Sequence, residues 1–110
     1  MTDKITIERD ILELAAKAAG IEVHDWLPGS LGFALGQSGK FLKARWNPLA
    51  DDGDALRLAV KLDIWIHPGE GPEVVEVVGL AAVRLAADAD RNAATRRAIV
   101  RAAAAIGEQA

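Results

Sequence analysis

The chain has no cysteine and no tyrosine among its 110 residues, and only one methionine. Without cysteine there is no disulfide, no thiolate zinc site and no cysteine nucleophile, and the redox compartment is left open. The two histidines, His24 and His67, stand in no metal-ligand or triad spacing, so a structural or exposed role is expected of both. Ser30 and Ser38 lack the context of a nucleophile elbow. No apolar run approaches the ~20 residues that span a bilayer. The opening segment, Met1 to Asp10, is charged and has no signal-peptide core. Neither sign of charge dominates: 13 basic against 16 acidic residues give a net charge of −3, which argues against a general nucleic-acid binder.

What is present is the composition of a globular protein, 51% apolar and 26% charged. The length suits a single domain over residues 1–110. Alanine inflates the apolar share, so the core is expected to be thin.

The most informative stretch is Trp46 to Leu62, WNPLADDGDALRLAVKL. Asn47-Pro48 is a turn signal, and proline keeps the residue before it out of the helical region. Asp51 is a good N-cap, and Asp54 three residues on makes an acidic variant of the capping box. Ala55, Leu58, Ala59 and Leu62 form one buried stripe. Asp54, Arg57 and Lys61 are expected on the opposite, polar face. Three nearby aspartates also invite a metal reading. A calcium loop with Gly53 as its sixth residue, however, puts Pro48 and Ala50 where ligands must be, so capping is favoured and no metal is expected.

Along the rest of the chain, Thr6 to Ala19 reads as a helix with the stripe Ile7, Ile11, Leu14, Ala15 and Ala18, stopped by Gly20. Ile21 to Val23 alternates as a short strand, and Trp26 with Pro28-Gly29 reads as a turn. Leu31 to Gly36 and Phe41 to Trp46 read as a hairpin, with Trp46 and Arg45 on opposite faces. The glycines between 29 and 39 fail the phosphate-loop test. Ala34 stands where its first glycine belongs and Phe41 where its hydroxyl belongs, so no nucleotide or other cofactor is expected. Asp63 to His67 alternates, with Ile64 and Ile66 facing one way and Trp65 and His67 the other. Glu73 to Val78 is strongly β-prone. Leu80 to Ala86 is read as a strand in preference to a helix. A final helix over Ala93 to Gly107, capped by Asp90 or Asn92, buries Ile99, Ala102, Ala103 and Ile106. Its alanines permit close approach to the sheet or to another subunit.

Two of these segments, Trp46 to Leu62 and AATRRAIVRAAAAIG from Ala93 to Gly107, resemble the phage ABA sandwich family of small bacteriophage proteins. The resemblance implies a phage or prophage origin and an alpha-beta-alpha sandwich, while the charged opening segment and the lack of a spanning run make the cytoplasm of a bacterial host the expected place. It brings no catalytic residue with it. The residues themselves give an α+β class, with three helices and a mostly antiparallel sheet of four to six short strands.

The functional expectation is a small non-catalytic accessory or interaction protein whose partner is an unknown phage or host protein, with no membrane association. One alternative is a nucleic-acid-binding regulator using Arg96, Arg97 and Arg101 on the final helix, where Arg101 is also able to pair with Glu108. Another is a small-molecule or enzyme site without a recognisable motif. A homodimer is expected, joined through the edge of the Glu73–Val78 strand at Val75 or through the Trp65 face.

Overall fold

The computed structural model describes residues 4–26, 32–35, 45–67, 74–78, 82–86 and 91–109. The class is α+β. Helix α1 (Lys4–Ala19) leads into β1 (Val23–Trp26), β2 (Phe33–Leu35) and β3 (Arg45–Trp46). Helix α2 (Asp52–Lys61) then leads into β4 (Trp65–His67), β5 (Val74–Val78) and β6 (Ala82–Ala86), and α3 (Arg91–Gln109) follows. The described strands lie in two antiparallel sheets, ordered β1-β2-β3 and β4-β5-β6, rather than in one. The segment around Leu85 is strand, as its sequence suggests.

Helix α1 ends at Gly20, whose φ of 69° is in the left-handed region. The amide of Ile21 reaches back to the Ala16 carbonyl at 2.9 Å, and that of Gly20 to Lys17 at 3.3 Å. This double closure satisfies carbonyls that the last turn would leave open. The buried stripe of α1 is Leu12, Ala15, Ala16 and Ala19. It is rotated by one residue from the stripe expected around Ile11, Leu14 and Ala18, which are half-buried. The side chain of Ile7 lies outside the described ones. The reason for the rotation is the neighbour. α1 packs on α3, and small side chains bring two helices closer than isoleucine and leucine allow.

α3 presents Ala94, Ala98, Ala102, Ala103 and Ala104 as buried residues, together with Ile99 and Val100, and Ile106 is half-buried. It lies against α1, α2, β5 and β6. Its alanines therefore serve contacts within one chain. Asn92, expected as a possible cap, sits inside the first turn of the helix, and Asp90 lies outside the described residues. At the far end of the seam Gly107 faces the backbone of Leu14, and a Cβ there would overlap the Leu14 carbonyl.

In the first sheet Phe33 pairs with Trp46 and Ala34 with Arg45, so the expected hairpin is present in these residues. Trp46 is buried and Arg45 exposed, as the alternation requires. Trp26 belongs to β1 rather than to a turn. Its ring meets Phe33 edge-on at 4.9 Å between centroids, a favourable aromatic geometry. Gly32 has a φ of 89°, and a Cβ on it would strike the Trp46 carbonyl. In the second sheet β5 is the central strand, paired with β4 on one side and β6 on the other. Val75, expected at a sheet edge, thus lies on the central strand and pairs with Leu85 of β6.

The α1–α3 seam reverses an ordinary rule. Alanine is preferred over glycine inside a helix by roughly 1 kcal/mol, yet Gly107→Ala should destabilise the protein by about 1–3 kcal/mol through overpacking. Gly20→Ala, where a Cβ meets nothing within 4 Å, should cost only the left-handed conformation, roughly 1 kcal/mol. Urea midpoints measure both, and a Gly107→Ala protein at least as stable as the parent would refute the close seam.

Candidate functional site

The segment before α2 sets the position of everything around it. The Asn47 carbonyl accepts from the amides of Ala50 (3.0 Å) and Asp51 (2.9 Å), and its side-chain oxygen accepts from Leu49 (3.1 Å). Asp51 is the N-cap, and its carboxylate accepts from the Asp54 amide at 2.8 Å. Asp52 and Asp54 add negative charge at the positive end of the helix dipole.

Asp54 departs from its expected place on the polar face, being only 7% exposed. One carboxylate oxygen accepts from the Asn47 amide at 2.9 Å, and the other from Arg57 at 2.7 Å. In a capping box the third residue reaches back to the cap; here it reaches four residues further and holds the Asn-Pro turn against the helix. The signal in the sequence was the pairing of that turn with an acid at the third helical position. Arg57 and Lys61 are exposed, as expected.

Arg96 of α3 crosses to the same region. Its Nε donates to the Leu49 carbonyl at 2.9 Å, and its Nη1 pairs with Asp52. Asp51, Asp52 and Asp54 are thus all bonded to the helix start or to arginines. Among the described residues no three His, Asp or Glu side chains converge as a metal set. The side chains of His24 and His67 lie outside the described ones, as do Ser30 and Ser38. The three arginines proposed for phosphate contact are not equivalent. Arg96 is half-buried and tied down, Arg97 is half-buried with a bonding partner, and Arg101 is exposed. Arg101 lies with Asp10 and Glu108 along a groove between α1 and α3, and among the described residues it forms no ion pair with Glu108.

The other end of α2 produces an apolar surface. The helix stops at Asp63, which takes a left-handed φ of 56°. The Ile64 amide returns to Ala59 at 2.8 Å and the Asp63 amide to Val60 at 3.3 Å, the closure that Gly20 makes after α1. Ile64 is buried because this stop fixes it against the helix, and the strand begins only at Trp65. Strand alternation therefore does not carry Ile66 into the core with Ile64. Ile66 is 45% exposed and Trp65 64%. On α2 the buried stripe is Ala55, Leu58 and Ala59, which leaves Leu56 and Val60, one turn apart, 60% and 73% exposed. Leu56, Ile66 and Ile99 line an open cleft of about 190 Å³ between α2, β4 and α3, closed at its polar end by Asp52 and Arg96. The sequence marks Trp65 as a surface residue. It does not mark Ile66, Leu56 or Val60, whose exposure depends on what packs over them.

Among the described residues no helix is long and apolar enough to cross a membrane. In comparison with known proteins, no family model, curated protein or solved structure matches the chain.

Replacing the buried carboxylate leaves the Asn47 amide without its acceptor, so Asp54→Ala should cost about 1–3 kcal/mol. Asp51→Ala removes the cap and should cost about 0.5–2 kcal/mol. An unchanged thermal midpoint for Asp54→Ala would contradict its place in the turn. At the other end, Asp63→Gly should stabilise the protein by up to about 1 kcal/mol, since glycine enters the left-handed region without a Cβ clash. A loss of stability in chemical denaturation would instead show that the Asp63 side chain contributes to the stop.

Proposed function

We propose that this chain is a small, non-catalytic interaction protein of phage or prophage origin, acting in the cytoplasm of a bacterial host, and that it docks a protein through the apolar face of α2 and β4. The observation that carries this reading is the exposure of Leu56, Val60, Trp65 and Ile66 within one short stretch. Single exposed apolar residues are ordinary. Four large ones lie on two successive elements, and two of them, Leu56 and Ile66, line the same cleft.

The origin rests on the resemblance of Trp46–Leu62 and Ala93–Gly107 to the phage ABA sandwich family. The element order, helix, three strands, helix, three strands, helix, supports that family's combination of helices with antiparallel strands. The reading as a nucleic-acid regulator draws less support, because it needs Arg96, Arg97 and Arg101 to act together and Arg96 is held by Leu49 and Asp52.

A photo-crosslinking residue placed at position 65 tests the proposal in the bacterial host. A discrete protein adduct is expected from position 65 and none from the same residue at position 13, an exposed site on α1. Absence of any adduct at 65 would overturn the docking face.

A further inference from the structure

We infer that the occupant of the α2–β4 face is a second copy of this chain, related by a two-fold axis beside β4. The inference rests on the reading of that face as a docking surface and names what docks there.

The first observation is the place of β4 in its sheet. It pairs with β5 on one side, and among the described residues no strand pairs with its other side. An edge strand presents unpaired amides and carbonyls. A second β4 running antiparallel satisfies them with the same groups, because a two-fold axis turns a strand against its own reverse.

The second is the position of the apolar side chains. Trp65 and Ile66 are successive residues of the edge strand, so they project to opposite faces of it, and both are exposed. Pairing two β4 edges therefore brings apolar surface together on both sides of the new ladder. Leu56 and Val60 extend the patch along α2.

The third is charge. The exposed charges flanking Trp65 are Lys61 and Asp63, one of each sign, and neither has a partner among the described residues. Together they leave this end of the edge without net charge, so two identical edges do not repel one another as two strands carrying the same excess charge would.

Size agrees with this occupant. A standard interface covers about 800 Å² on each partner, of which somewhat more than half is apolar. The exposed parts of Leu56, Val60, Trp65 and Ile66, on the order of 400 Å² together on the two sides of the edge and along α2, are of that size.

The absence of cysteine makes one introduced thiol unambiguous. Light scattering over a dilution series should give a dimer at tens of micromolar, and Trp65→Lys should weaken it at least tenfold while circular dichroism is unchanged. Ile66→Cys should give a covalent dimer on mild oxidation. Ala105→Cys, in the α1–α3 groove, should not. If Trp65→Lys fails to fold, the two cysteine variants decide the matter alone. A monomer mass throughout the series overturns the second copy, and a heterologous adduct from position 65 would then leave the docking face standing. A dimer that survives Trp65→Lys, or that is trapped through Ala105→Cys instead of Ile66→Cys, overturns the second copy at this face too, and the crosslink at position 65 then decides the docking face by itself.

Discussion

The structure depends on how closely α3 can approach α1. Ten of the seventeen buried apolar residues described are alanine. Side chains so small contribute little transfer free energy each. What they permit is backbone contact, taken to its limit where Gly107 meets the Leu14 carbonyl. Dispersion between closely packed atoms then stands in for the burial of large side chains. α3 also touches α2 and the second sheet, so this one helix joins the parts, and Leu12, Leu58, Val100 and Trp46 fill what the alanines leave.

The acidic cluster shows a second economy of the same kind. Three aspartates within four residues would repel one another on a bare surface. Here each has a separate task. Asp51 caps the helix, Asp54 holds the Asn-Pro turn, and Asp52 receives Arg96 from α3. The last link matters most for the tertiary structure. It fastens the start of α2 to α3 through both a carboxylate and a backbone carbonyl, held at a fixed spacing by two nitrogens of one planar guanidinium.

Much of this was legible in the sequence because local chemistry determined it. The cap at Asp51, the stop at Gly20, the alternation at Arg45 and Trp46, and the strand through Leu85 all follow from residue types at short spacing. The differences share a cause. Periodicity puts the stripe of α1 on its larger residues, but a partner lined with alanine selects the smaller face. Charge puts Asp54 in solvent, whereas the Asn47 amide, four positions before the cap, needs an acceptor. Alternation groups Ile66 with Ile64, although the helix stop at Asp63 resets the count. The position of β5 between two strands, and hence the loss of Val75 as an edge, is a matter of sheet order that no local pattern encodes. The candidate face was legible only at Trp65. Exposure of Leu56 and Val60 is a statement about missing neighbours, and a sequence lists only the residues that are there.

The seam between α1 and α3 also governs the order of assembly. Leu14 and Gly107 come from opposite ends of the described chain, with both sheets and α2 between them. The contact therefore cannot form while the chain is still being synthesised through its strands. Until α3 emerges, α1 carries an uncovered alanine stripe and the second sheet lacks the helix that packs against β5 and β6. Closing so long a loop is slow compared with local helix formation. Helices and hairpins that come before α3 in the chain are thus free to form before α3 closes this seam.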